Sequence, residues 1–149
     1  MSKTWNVYLA GEIHSDWRTR IEEGAADLPV CFSAPVTDHG ASDDCGVDIL
    51  GAEETGFWKD RKGAGLNAIR TRTAIREADV VVVRFGDKYR QWNAAFDAGV
   101  ASALGKPLVI LHPPELTHAL KEVDAAAQAV AETPEQVVRI LRYVIQGTL

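Results

Sequence analysis

The sequence predicts an α/β domain, a three-layer flavodoxin/Rossmann-like fold around a five-stranded parallel sheet with strand order 2-1-3-4-5. Short apolar runs alternate with helix-periodic segments along the whole chain, the pattern of successive βαβ units. The run VVVV at 80–83 is apolar on both faces, as a central strand covered by helices on both sides must be. The length, 149 residues, suits a single domain spanning 1–149 with one ordinary core. Right-handed crossovers then connect the strands.

Each element has its own signal. WNVYLAG at 5–11 reads as a buried first strand ending on Gly11. A helix starting at Ser15 ends near Gly24, and PVCFSAPV at 29–36 is the second strand. Residues 37–60 read as a long polar loop rich in Asp and Gly. From 63 to 77, Leu66, Ile69, Thr73 and Ile75 recur at helical intervals, before the third strand at 79–85. Residues 93–104 are helical, with Phe96, Gly99, Val100 and Ala103 on the expected buried face, and 106–112 is the fourth strand. Pro113 and Pro114 open a helix, 127–132 suits a short edge strand, and TPEQ starts a last helix capped by Thr133.

Composition narrows the function. Hydrophobic residues make up 46% and charged residues 25%, as in a folded globular chain. The net charge is −5 and Lys and Arg nowhere cluster, which argues against a nucleic acid polymer as partner. No apolar run reaches the roughly 20 residues of a membrane span. The N-terminus enters a strand without a signal-peptide core, so a cytoplasmic location is expected. The two cysteines are not a disulfide scaffold: Cys31 reads as a small buried hydrophobe, and Cys45 sits among aspartates.

Open parallel sheets bind ligands beyond the C-terminal ends of their strands, near the switch in strand order. That rule selects GEIHSDW (11–17), FGDKYRQWN (85–93) and HPPE (112–115). After Gly11, backbone amides at the helix start suit a phosphate, with His14 beside them. No GxGxxG, GxxxxGK[ST] or GxSxG motif is present. The 37–60 loop contains Asp38, His39, Asp43, Asp44, Cys45 and Asp48, but their spacing fits neither a zinc finger nor a calcium loop. They read as a solvated loop with Asx turns, a Mg or Zn site being the alternative; no metal and no cofactor are expected. Trp17, Trp58, Trp92, Tyr8 and Tyr89 fall in or near these loops and suit stacking on a base or sugar, or else core packing. Asp87, Lys88, Arg84 and Gln91 follow strand three, and Arg70 and Arg72 precede it, a cationic neighbourhood suited to phosphate or simply solvated. Asn93 is the expected cap of the helix carrying Asp97, whose carboxylate in the first turn is favoured by the helix dipole or is a reacting group.

VYLAG at 7–11, with EADVVVVRFGD at 77–87 and AAFDAGVASALGKPLVIL at 94–111, resembles the nucleoside 2-deoxyribosyltransferase superfamily. GEIHSDWR, PVTDH and NAIR point to its YtoQ-type branch. The resemblance implies retaining glycosyl chemistry, in which a carboxylate attacks C1′ of deoxyribose. By position the nucleophilic glutamate falls on Asp97, one methylene shorter, and its orienting tyrosine on Tyr8. Two further family carboxylates fall on Thr71 and Gln91. The catalytic set this suggests is Asp97, Tyr8 and Asp87, the last or a loop aspartate (Asp38, Asp43 or Asp44) serving as acid. The substrate set is Gly11, His14, Trp17, Asp38, Trp58, Arg72, Lys88, Gln91, Trp92 and Asn93. The expected partner is a small-molecule nucleoside or nucleotide, and the resemblance implies a homo-oligomer. Two functions follow: an enzyme acting on an N-glycosidic bond, or a non-catalytic nucleotide or sugar-phosphate binding and sensing domain.

Overall fold

The computed structural model describes residues 2–88 and 90–149. In chain order it forms β1 (Trp5–Gly11), α1 (Trp17–Gly24), β2 (Val30–Ser33), α2 (His39–Leu50), α3 (Gly56–Glu77) and β3 (Val80–Arg84). Then follow α4 (Trp92–Ala103), β4 (Leu108–Leu111), a 3-10 turn (Pro114–Leu116), α5 (Lys121–Ala126), β5 (Ala129–Ala131) and α6 (Pro134–Gln146). The strands pair in parallel in the order β2-β1-β3-β4-β5, the order expected from the sequence.

The two-residue period of the strands sorts the core into two halves. Val7, Leu9, Val80, Val82, Val109 and Leu111 face one side, where α1 and α6 supply Trp17, Ile21, Val137 and Leu141. Tyr8, Ala10, Val81, Val83, Leu108 and Ile110 face the other, where Ile75 of α3 and the alanines of α4 cover them. Each fully buried aliphatic side chain contributes about 1.5–3 kcal/mol. The expected cap of α6 is present: Gln136 N–H donates to Thr133 Oγ1, and the Gln136 side chain accepts from Thr133 N–H. Glu135 instead pairs with Arg20 at 2.7 Å, tying α6 to α1. Among the described residues no helix is long and apolar enough to cross a membrane.

Four expectations need correction. Residues 37–60 are not one loop, because α2 fills 39–50 and α3 starts at Gly56 rather than 63. Asp38 caps α2, accepting from Ala41 N–H at 2.7 Å. The two helices cross so closely at Gly46 and Gly63 that a Cβ on Gly46 would stand 2.5 Å from Gly63 N. Contact made through glycine leaves no apolar stripe, which is why the segment reads as polar. On α4 the buried face is Ala94, Ala98 and Ala101, while Phe96 is exposed. Asp97 is the sixth residue of that helix, since Gln91 is the cap. It lies beyond the first turn, where the dipole acts. Cys31 is exposed, because it points away from the core on the outermost strand.

The glycine crossing predicts substitutions of opposite sign. Gly46→Val should destabilise the fold by about 1–3 kcal/mol through overpacking. Gly65→Ala, where a Cβ meets nothing within 4 Å, should stabilise α3 by roughly 0.5–1 kcal/mol. Urea unfolding of both proteins reads the difference, and equal effects would contradict the close crossing.

Candidate functional site

At the C-terminal ends of β1 and β3, where the strand order switches, lies a cavity of about 800 Å³. Its floor comes from Gly11 and Glu12, one wall from His39 and Asp43 of α2 and from Arg70, Thr71 and Arg72 of α3. The other wall is Trp92, Asn93 and Asp97 of α4, with Arg90 and Gln91 from the preceding loop.

The floor depends on Gly11. Its φ is +112°, a left-handed conformation that glycine alone enters cheaply, and a Cβ there would stand 2.1 Å from Arg84 O. The chain therefore stays in contact with β3 for one more residue, and Glu12 N–H donates to Arg84 O at 3.1 Å. The Glu12 side chain is buried, yet its carboxylate is fully engaged. It accepts from the Ser15 hydroxyl, from the N–H groups of His14 and Ser15, and from Arg84 Nη1 at 2.7 Å. Burial pushes its pKa up, but those donors outweigh burial and hold it below the usual carboxylate value. Beneath it Arg18 donates to the carbonyls of Leu9, Glu12 and Gly11 at 3.0, 2.7 and 3.1 Å. Its guanidinium lies 4.4 Å from the Trp17 ring, and burial lowers its pKa to about 10.

Asp97 has the opposite character. It is partly buried, lines the cavity, and forms no hydrogen bond or ion pair among the described residues. Burial alone pushes its carboxyl up to about 6. Tyr8 lies beneath it on β1, 1% exposed, with its phenol oxygen buried and without a hydrogen-bond partner among the described residues. Burial raises the phenol pKa; the Thr71 hydroxyl lowers it, though the pair falls short of hydrogen-bond geometry, and the Asp97 charge raises it again. A buried phenol without a partner beside a carboxylate without a partner is a site awaiting a polar group.

Of the residues expected from the sequence, Gly11, His14, Arg72, Gln91, Trp92, Asn93 and Asp97 line the cavity. Tyr8 sits below it. The others stand elsewhere. Trp17 is a core residue at the start of α1, its indole N–H donating to Glu12 O at 2.8 Å. Trp58 is exposed on α3, edge-on to Phe57. Asp38 is occupied as a helix cap, and Asp87 and Lys88 lie in an exposed bend outside the lining. Tyr89 lies outside the described residues. Loop 112–115 contributes nothing to the lining, because His112 is buried and its Nε2 is 2.8 Å from Asp124. Of the two positions where the family carries carboxylates, Thr71 lines the cavity, and Gln91 braces its rim by accepting from Gly86 N–H at 2.8 Å. The 37–60 segment gives one pair in the wall: His39 Nε2 lies 3.2 Å from Asp43, one turn apart on α2. Among the described residues no three His, Cys, Asp or Glu side chains gather where they would hold a metal ion. Of this Glu12–Arg84–Arg18 base the sequence reading picked out only Arg84, as a cation suited to phosphate, whereas the structure pairs it with Glu12.

Comparison with known proteins gives the family and supports the fold. The family model described as nucleoside 2-deoxyribosyltransferase YtoQ matches residues 8–145. The chain belongs to this YtoQ family. An uncharacterized YtoQ protein of Bacillus subtilis (strain 168) is 43% identical over 142 residues, covering 94% of this chain and 96% of the relative. Among solved structures, a 2-deoxyribosyltransferase from Bacillus psychrosaccharolyticus superposes with a TM-score of 0.54 at 19% identity, over 89% of this chain and 90% of its own. A conserved protein from Enterococcus faecalis V583 gives 0.61 at 14% identity, over 95% and 99%. At such identities the likeness shows the fold alone.

The state of Asp97 has a consequence for stability. Its folded pKa lies above the unfolded value of 3.8, so the native chain holds this proton more tightly than the unfolded chain. Ionising it between about pH 4 and 6 therefore removes stability as pH rises. A rise from 3.8 to about 6 corresponds to about 3 kcal/mol, which partial solvent access reduces to roughly 1–2. Asp97→Asn should be more stable than the wild type by that amount at pH 8, and nearly equal at pH 4. Denaturation at both pH values tests this, and a variant no more stable at pH 8 contradicts it.

Proposed function

We propose that the protein is an enzyme that breaks the N-glycosidic bond of a nucleoside, nucleotide or related N-riboside, by hydrolysis or deoxyribosyl transfer. The observation that carries this reading is the unpartnered carboxylate of Asp97, lining a cavity at the strand switch point above an unpartnered buried Tyr8. Ionised Asp97 attacks C1′, the base departs with the bond electrons, and the sugar is left as an ester on the carboxylate. Water, or the nitrogen of a second base, then attacks C1′ and frees Asp97. The Tyr8 hydroxyl, without a hydrogen-bond partner among the described residues, turns to donate to the carboxylate when substrate is bound and fixes its direction. The leaving base needs a proton, and the His39–Asp43 pair, exposed but in the opposite wall of the cavity, suits that task better than Asp87, which lies outside the lining. Asp38 and Asp44 are less suited, being engaged as a helix cap and with Lys59.

The second reading is a binding or sensing domain without turnover. It draws on Thr71 and Gln91, which put neutral side chains where the resembling transferases have carboxylates, and on Gln91 being committed to Gly86.

Incubation with a panel of nucleosides and nucleotides, followed by chromatography for free base, separates the two. The enzyme releases base, and Asp97→Ala lowers the rate by at least about a thousandfold. Its kcat/KM rises with pH through about 6, because the attacking carboxylate must be ionised. Binding without base release, unchanged in Asp97→Ala, would remove the nucleophile role and leave the sensing domain.

A further inference from the structure

We propose that Glu12 is a specificity-determining residue: its side chain fills an oxyanion nest in the cavity floor and so turns away a phosphorylated ligand. This rests on the reading of the cavity as an N-riboside site and narrows what that site accepts.

The nest is built from four donors that converge on one carboxylate. The N–H groups of His14 and Ser15 reach Glu12 Oε2 at 2.5 and 3.1 Å. The Ser15 hydroxyl and Arg84 Nη1, the latter at 2.7 Å, donate to Oε1. Consecutive backbone N–H groups, a hydroxyl and a guanidinium aimed at one point are a donor set suited to phosphate oxygens. Gly86 closes the side of the nest, where a Cβ would stand 2.9 Å from Arg84 Nη1 and 3.1 Å from Glu12 Cγ. The N–H groups after Gly11 that suit a phosphate in the sequence are therefore already spent.

Position makes this pairing more than a brace. Glu12 lines the cavity with its side chain only 4% exposed, whereas the Arg84 that it holds lies outside the lining. Each carboxylate oxygen takes two donors, so the acid has no lone pair left for a ligand or for proton transfer. A buried ion pair adds little net stability over apolar side chains of the same volume, because both ions lose hydration. What the charge does supply is discrimination. A phosphate at this end of the cavity would find the donors occupied and meet a like charge, whereas an uncharged sugar meets neither penalty.

The test removes the internal anion. Thermal unfolding of the wild type and of Glu12→Ala is followed in inorganic phosphate, in acetate and in chloride at matched ionic strength. Phosphate should raise the Tm of Glu12→Ala by at least about 3 °C more than that of the wild type. Acetate, which returns the lost carboxylate, should do likewise, and adding Arg84→Gln should abolish the phosphate effect. Calorimetry in the Asp97→Asn background then compares each common 2′-deoxynucleoside with its 5′-monophosphate. The affinity ratio should move toward the monophosphate by at least about tenfold in Glu12→Ala, a change that a purely structural role would not produce. Glu12→Gln keeps the shape and loses only the charge. It should give part of that change, and it carries the test if Glu12→Ala does not fold.

The proposal is overturned if phosphate stabilises Glu12→Ala no more than the wild type, or if only acetate stabilises it. It is also overturned if the phosphate effect survives Arg84→Gln, or if the affinity ratio is unchanged in both Glu12 variants. Base release by the wild type keeps the two readings apart. Phosphate rescue of Glu12→Ala without base release by the wild type removes the glycosidic reading and leaves the nest standing. Base release with no phosphate rescue does the reverse.

Discussion

The closeness of β1 and β3 at their C-terminal ends is the constraint on which the site depends. Parallel strands normally separate where their loops begin, because side chains need room. Here Gly11 stands opposite Arg84 without a Cβ, and the next residue, Glu12, still donates its N–H to β3. The extra step delivers the Glu12 carboxylate to the Arg84 guanidinium and to the N–H groups of the following turn. Arg18 then gathers three carbonyls left open as the chain turns away. In the cavity floor the Glu12 carboxylate and the Arg84 and Arg18 guanidinium groups thus each have partners inside the fold.

Against that satisfied floor, the unsatisfied groups stand out by contrast. Tyr8 and Asp97 come from elements that the same packing fixes: β1 in the middle of the sheet, and α4 laid on it through three alanines. Small residues at that contact let α4 approach the sheet, bringing the flank that carries Asp97 down over Tyr8. Burial without compensation is a strain on the folded state, since an ionised carboxylate loses hydration there. Folds retain such groups mainly where they are used, because stability alone would replace them. The energetic defect and the chemical proposal therefore rest on the same atoms.

The sheet was legible in the sequence because its signals are large and local. Four buried valines, strands ending in Gly or Pro, and a Thr-Pro helix start each have one physical reading, and the strand order follows from the crossovers. The α2–α3 pair was not legible, because it is held by glycine against glycine and so carries no hydrophobic period. Trp17 misled for a related reason. An indole beside a ligand-edge loop suggests stacking, whereas its N–H is spent on the Glu12 carbonyl and its ring on the core. Asp97 was singled out by the edge rule and the family resemblance, yet its state was invisible: its burial comes from elements far away in sequence. A signal for the floor did exist. Glu12 between Gly11 and Ser15, with Arg18 shortly after, is an acid too well supplied with donors to be a solvated loop residue.

The proposed attack by Asp97 would leave a chemical trace, and detecting it is the most direct test. Protein quenched in acid during turnover of a nucleoside substrate, then digested, should yield the α4 peptide heavier by the mass of the sugar, with the adduct on Asp97. That ester should be absent from Asp97→Asn and should vanish as substrate is exhausted. Release of free base with the α4 peptide unmodified, or with the sugar on another residue, would contradict the account.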